Sequence, residues 1–263
     1  RRAYLIDATP IGVNVRSTVA TYCGALDDMR RAYARTDSAK AAGLKMGDFS
    51  YNTGSLRCAT CDGTGQISLD VQFLPDVDIS CPDCRGSRYD TAAEKIRRPE
   101  KGAPDDQALS LPHLLALSVD EALPHVADIK KAHEKLQTLH DLGLGYLTLG
   151  EATPALSGGE AQRLKLASEM GRGQADAVFV FDEPTIGLHP RDVETLLGVF
   201  QRLVEQGATV VVVEHDLDFI ANADYVIDMG PQGGKAGGRI VACGTPEEIA
   251  ANRESITGGY LEI

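Results

Sequence analysis

No apolar run in the 263-residue chain approaches the ~20 residues that a membrane-spanning helix needs. The opening Arg1-Arg2-Ala3-Tyr4 is not followed by the apolar stretch of a secretory signal, so the expected location is cytoplasmic, with no membrane partner. No internal repeat of fixed period occurs. Nor does any Gly-x-x-x-x-Gly-Lys-Ser/Thr string, the loop whose backbone amides cradle nucleotide phosphates. Gly230-Pro-Gln-Gly-Gly-Lys235-Ala236 comes near, but it lacks the first glycine at the right spacing and ends in Ala where a metal-binding hydroxyl is required. Basic charge is short as well: the net charge is -12, which opposes uniform binding to a polyanion. The deficit is uneven. Residues 1 to 101 carry 15 basic and 13 acidic side chains, whereas residues 151 to 263 carry 8 and 18. A nucleic-acid surface therefore belongs, if anywhere, to the first hundred residues.

What is present, 43% hydrophobic residues over this length, is enough for one sizeable core and a smaller second unit. Residues 3 to 8 read as a short strand, followed by a loop at Pro10 and Gly12 and a helical stretch from about Thr18 to Thr36. Between Gly47 and Arg88 glycine and cysteine are frequent, and Ile67 to Phe73 alternates like a strand. A polar linker over Thr91 to Pro112 precedes a helical pattern from Ser118 to Leu142, opened by a capping box of Ser118 and Glu121. Beyond Gly150 helices and strands alternate: helix Gly159 to Gly171, strand Ala177 to Phe181, helix Arg191 to Glu205, strand Thr209 to Val213. The two strands are continuously apolar, as strands buried on both faces of a parallel sheet are, and the expected fold class is α/β.

Val178-Phe179-Val180-Phe181-Asp182-Glu183 is an apolar strand ending in two carboxylates, the Walker B arrangement. The carboxyl end of a central strand is where α/β sheets bind ligands. There Asp182 would hold Mg2+ through its water shell and Glu183 would orient or deprotonate the attacking water of ATP hydrolysis. Leu156-Ser157-Gly158-Gly159-Glu160 lies 22 residues upstream, counted from Glu160 to Asp182. Its glycines expose N–H groups at a helix start and its serine offers a hydroxyl, together an anion site for a γ-phosphate. His215, after the strand Val210 to Val213 and Glu214, stands where a switch histidine would contact the γ-phosphate, and Pro184 to His189 fills the place of the D-loop. Three motifs in this order read as part of an ATP-binding cassette, a P-loop NTPase-like domain. With no phosphate loop of its own, the chain is expected to be a C-terminal piece of a longer polypeptide or to work with a partner that supplies the loop.

Cys58-Ala-Thr-Cys61 and Cys81-Pro-Asp-Cys84, separated by 19 residues, supply four thiolates in two short turns, the closed set that structural Zn2+ prefers. Gly63 and Gly86 follow the pairs at a fixed offset and let the backbone turn towards sulfur. Cys-x-x-Cys pairs in a cytosolic-looking chain read as metal ligands rather than disulfides. The single Cys-x-x-Cys-x-Gly-x-Gly copy also matches a chaperone-type zinc repeat, but the cassette motifs have no place there. The domain reading is then 1–46, the end of a nucleotide-binding subdomain and a helix; 47–113, the zinc module; 114–158, a helical signature-domain segment; and 159–263, the ATPase core.

Asp7-Ala8-Thr9-Pro10-Ile11-Gly12, Arg16 to Tyr22, the four cysteines, Val71-Gln72-Phe73-Leu74-Pro75-Asp76-Val77, Gly143-Leu144-Gly145-Tyr146 and the signature string together resemble the second cassette of the UvrA family over nearly the whole chain. That resemblance implies a cytoplasmic, dimerising ATPase of nucleotide excision repair that binds DNA and works with a UvrB-like partner. It implies that Ser157, Gly158, Gly159 and Glu160 meet nucleotide held by an opposing cassette or a second copy, and that zinc in the signature domain helps engage DNA. One position departs: the family's Gln before Ser-Pro-Ile-Gly, which helps bind Mg2+, is Ala8 here. The alternative that goes with this departure is a UvrA-like paralogue or a module that binds DNA or nucleotide without hydrolysing ATP by itself. For DNA contact the expectation falls on Arg16 and Arg57, which flank the family-like strings.

Overall fold

The computed structural model describes residues 2–12, 14–69, 77–99, 108–170, 176–186, 188, 190–230 and 237–261, with only the backbone for 190–192. The Val71–Val77 string up to Asp76, Gly187 and His189 of the D-loop segment, Gly171 at the expected helix end, and the Lys235 loop lie outside those residues. The chain divides into two compact units: Arg1–Asp7 with Gln174–Ile263, and Ala8–Gly173.

The first unit is built on a parallel sheet of β1 (Arg2–Ile6), β6 (Ala177–Asp182) and β7 (Thr209–Val213), in the order β1-β6-β7. Ile6 pairs with Phe181 and Asp182 with Val213, so the carboxyl ends of all three strands lie level. Helix α8 (Pro190–Glu205) joins β6 to β7 and buries Val193, Leu196, Val199, Phe200 and Leu203, a stripe at helical spacing. Phe200 packs on Phe181 with ring centroids 4.3 Å apart and meets Phe219 of α9 (Leu217–Ala221) edge-on. The opposite sheet face differs from the expectation of burial on both sides: Leu5, Val211 and Val213, which share it, are exposed. A hairpin of β8 (Val226–Gly230) and β9 (Arg239–Gly244) and the capped helix α10 (Pro246–Ala250) complete this unit.

The second unit is mostly helical. The single helix expected from Thr18 to Thr36 is two, α1 (Val19–Tyr22) and α2 (Ala25–Tyr33), because Gly24 between them takes a left-handed φ of +74°. The Ser118 to Leu142 pattern likewise resolves into α5 (Val119–His125) and α6 (Lys130–Asp141), with Pro124 inside the last turn of α5. The Ser118 capping box forms as expected, with Ser118 N–H donating to Glu121 at 2.9 Å. Helix α2 packs on α6, and α6 on α7 (Gly158–Met170), around Met29, Tyr33, Leu136, Leu139 and Leu144. Asp28 is buried in this contact and accepts from Lys135 of α6 and Arg31, each at 2.8 Å. Although burial opposes its charge, the two cations hold its carboxyl below the ordinary value of 3.8. Helices α3 (Asp37–Ala41) and α4 (Leu111–Leu115), the hairpin β2 (Gln66–Leu69) with β3 (Val77–Ser80), and the strand pair β4 (Arg97–Arg98) with β5 (Leu109–Ser110) complete the unit. No helix among the described residues is long and apolar enough to cross a membrane.

Candidate functional site

At the end of β6 the alternation that buries Phe179 and Phe181 leaves Asp182 exposed, and the next residue turns out of the sheet. Glu183 makes that turn with a left-handed φ of +46° while its N–H donates to Val213 of β7 at 2.8 Å. A non-glycine residue held there stores on the order of 1–3 kcal/mol of strain, and such strain concentrates at functional positions. His215, on the segment that leaves β7, places Nδ1 3.8 Å from the Glu183 carboxylate. Both side chains are open to solvent, so a ligand can reach the pair.

The anchor of this corner is neither Glu183 nor His215 but the residue between β7 and the histidine. Glu214 has a side chain only 3% exposed. It accepts from Thr185 N–H at 2.9 Å, from the Thr185 hydroxyl, from His215 N–H at 2.8 Å and from Asp216 N–H at 3.2 Å. Burial works against its charge, but these donors outweigh it and its carboxyl lies below the usual range. One carboxylate thus fixes both the D-loop segment after β6 and the histidine after β7. The only sequence signal is an acid directly after an apolar strand.

The signature residues belong to the second unit. Glu160 reaches back from the first turn of α7 to accept from Ser157 N–H at 2.7 Å, and Glu160 N–H donates to the Ser157 hydroxyl at 3.4 Å. The other carboxylate oxygen accepts from the Tyr146 hydroxyl at 2.6 Å. Burial and the neighbouring Glu160 push the Tyr146 phenol up to about 12, so it stays a donor. A Cβ on Gly158 would stand 3.2 Å from the Ala8 side chain and 3.3 Å from its carbonyl oxygen. Lys165 of α7 donates to Thr9 at 2.7 Å. The Ala8-Thr9 segment therefore lies directly against the signature helix, and a side chain at Gly158 would crowd it.

The four cysteine sulfurs all lie within 4.8 Å of one another and are buried, with Cys58 to Cys81 at 3.9 Å and Cys61 to Cys84 at 3.6 Å. A tetrahedral ion at metal–sulfur distances of ~2.3 Å requires sulfur–sulfur edges of roughly 3.8 Å, close to the Cys58–Cys81 and Cys61–Cys84 separations, so the quartet is of the size that holds such an ion. Gly65 N–H donates to Cys61 at 3.3 Å. Burial pushes the Cys84 thiol up to about 12, whereas at Cys61 burial is outweighed by the Gly65 N–H and the neighbouring thiols, which bring it down to about 7. Gly63, at φ +75°, admits no side chain, since a Cβ would meet the Tyr51 carbonyl oxygen at 1.7 Å. Arg16 and Arg57 converge on the same turn. They pair with the two carboxylate oxygens of Asp62 at 2.9 and 2.6 Å, and so tie the start of the unit to the residue after Cys61.

No family model matches the chain. Over 259 residues, 98% of its length, it is 47% identical to UvrABC system protein A of Streptococcus pyogenes serotype M6, of which it covers 27%. To UvrABC system protein A of Bacillus subtilis it is 48% identical over 258 residues, covering 26% of that protein. The crystal structure of UvrA2 from Deinococcus radiodurans superimposes with a TM-score of 0.88 at 43% identity, over 99% of this chain and 31% of that one. The chain spans about a quarter of the length of the curated relatives it matches. Identity at this level over nearly every residue, with the same backbone course, places the chain in the UvrA family.

Proposed function

We propose that the chain supplies the signature and water-activating elements of an ATP-binding cassette in a DNA-repair ATPase of the UvrA type, acting in nucleotide excision repair. The observation that carries this is the corner where Asp182, Glu183 and His215 meet at the ends of adjacent parallel strands, held by the buried Glu214. Asp182 is the residue that would hold Mg2+, which when bound neutralises charge on the phosphates. Glu183 orients the attacking water and accepts its proton, and His215 contacts the γ-phosphate. Ser157, Gly158 and Gly159, with Glu160 fixing their backbone, receive the phosphate of a nucleotide carried by an opposing cassette or a second copy. Cys58, Cys61, Cys81 and Cys84 hold Zn2+ as a structural ion. DNA and a UvrB-like protein are the partners this reading assigns to the cytoplasmic assembly, with Arg16 and Arg57 as DNA contacts that must first release Asp62.

A second reading is a module that binds nucleotide or DNA without turnover, favoured by Ala8 and by the absence of a phosphate-loop string from the sequence. Steady-state ATP hydrolysis separates the two. The 263-residue chain alone is expected to be inactive, and to gain turnover when mixed with a cassette of the same family that carries a phosphate loop. Hydrolysis by the chain alone would refute the composite site, and a silent mixture would favour the second reading.

A further inference from the structure

The second unit carries a concavity of about 710 Å3 whose lining includes neither the signature motif nor a cysteine. It is lined by Arg31 and Arg35 from the end of α2 and the turn after it, Arg97 and Arg98 of β4, and Lys130 and Lys131 at the start of α6. Three aspartates share the lining. Asp28 pairs with Arg31 and Asp128 with Arg98, while Asp37 pairs outside this set with Lys40. Arg35, Arg97 and Lys131 have no anionic partner among the described residues. This concentration of uncompensated positive charge stands in a chain whose net charge is -12.

The helix that closes the groove breaks its own rules. An α-helix favours acids in its first turn and a Ser, Thr, Asp or Asn cap, because the N-terminal dipole end is positive. Helix α6 starts with Lys130-Lys131, has no acidic residue in its first turn, and is preceded by Ile129, which makes no side-chain cap. Among the described residues Lys130 meets only Glu134, at 3.9 Å, and Lys131 adds a second positive charge at the positive end of the helix dipole, an arrangement that an incoming anion relieves. Local rules are broken in this way where function requires it.

We propose that this groove is a docking site for the phosphodiester backbone of a nucleic-acid duplex. Four of the six cations are arginines, whose planar forks suit phosphate oxygens. The lining contains no aromatic side chain, and so lacks the stacking platform that single strands use. Its apolar members are Ala32, Pro99 and Ile129, too little anchor for a protein partner, whose binding energy rests on buried aromatic or aliphatic residues. Contact with the backbone alone is independent of base sequence. The inference rests on the DNA-engaging reading and deepens it by naming a face formed from three separated segments, distinct from Arg16 and Arg57.

The test is duplex-oligonucleotide binding by the 263-residue chain, measured by fluorescence anisotropy across a salt series, for the wild type, the triple variant Arg35→Ala/Arg97→Ala/Lys131→Ala, and Arg57→Ala. The triple variant is expected to bind at least about tenfold more weakly, with a log–log salt slope shallower by about 3, at roughly 0.9 for each phosphate no longer neutralised. Single charge reversals, Arg35→Glu and Lys131→Glu, keep the test readable should the triple variant melt early, and each is expected to weaken binding. Unchanged slopes in all groove variants alongside weakened Arg57→Ala would overturn the groove while leaving DNA engagement standing. No duplex binding by the wild type would overturn both. Displacement of the duplex by polyglutamate at equal charge concentration would assign the groove to an acidic polypeptide and overturn the proposal.

Discussion

At the scale of single residues, the corner around Glu183 depends on a carboxylate that does no chemistry itself. Glu214 accepts from three backbone amides and a hydroxyl in a nearly dry position. Glu214→Gln turns an NH2 group towards those donors, and the expected cost is about 2 kcal/mol, read as a lowered urea midpoint at unchanged m-value. The Tyr146–Glu160–Ser157 relay makes a second prediction, since Tyr146→Phe removes one donor and leaves the ring. Turnover of the assembled ATPase should fall several-fold through kcat, while thermal stability and metal content stay at wild-type values; an unchanged kcat would leave Tyr146 a packing residue. Neither role is readable from the sequence. Asp182, Glu183 and His215 stand out by chain order against apolar strands, but Glu214 and Tyr146 act through hydrogen bonds between segments separated in sequence, which no local pattern encodes.

At the scale of elements, the metal hairpin and the α2–α6 contact make opposite demands on their surroundings. The strands β2 and β3 expose most of their side chains, Leu69, Val77 and Ile79 among them, so little apolar burial holds them together. Their order rests on the four thiolates. Cys84→Ser, or treatment with a strong zinc chelator, should abolish bound zinc and the amide-exchange protection of residues 58–69 and 77–88 while the α2–α6 core keeps its own. Persisting protection around Gly63 after zinc loss would contradict the staple. In the α2–α6 contact the carboxyl of Asp28 is depressed by Lys135 and Arg31. The stability it contributes is therefore fully present above the unfolded carboxyl value and is lost as pH falls through the lower folded value. Asp28→Asn should destabilise the second unit by about 2 kcal/mol at neutral pH, and the difference from wild type should vanish at strongly acidic pH. The elements themselves are largely legible in the sequence: α7, α8, β6 and β7 fall within a residue or two of their expected bounds. The two long helices that split do so at Gly24 and just after Pro124, where a backbone preference interrupts an unbroken apolar pattern.

At the scale of the whole molecule, the four cysteines and the ordered cassette motifs point to the family on sequence alone, because metal ligation and phosphate chemistry constrain spacing as well as composition. Other features are not legible there. The helix that follows the signature string belongs to the same compact unit as the zinc hairpin, not to the unit of the parallel sheet, since that grouping depends on packing of α6 and α1 against α7. The basic groove is assembled from segments about thirty or more residues apart, and no one of them carries the sum. The exposure of Leu5, Val211 and Val213 on one face of the parallel sheet is equally invisible to periodicity, because the strands are apolar on both sides. The most direct test of a composite ATPase site is steady-state hydrolysis by the assembled protein carrying Glu183→Gln. Turnover is expected to fall by at least about a hundredfold while ATP affinity stays within about twofold of wild type, as for loss of a residue that acts on the attacking water alone. Hydrolysis at the wild-type rate would contradict the assignment.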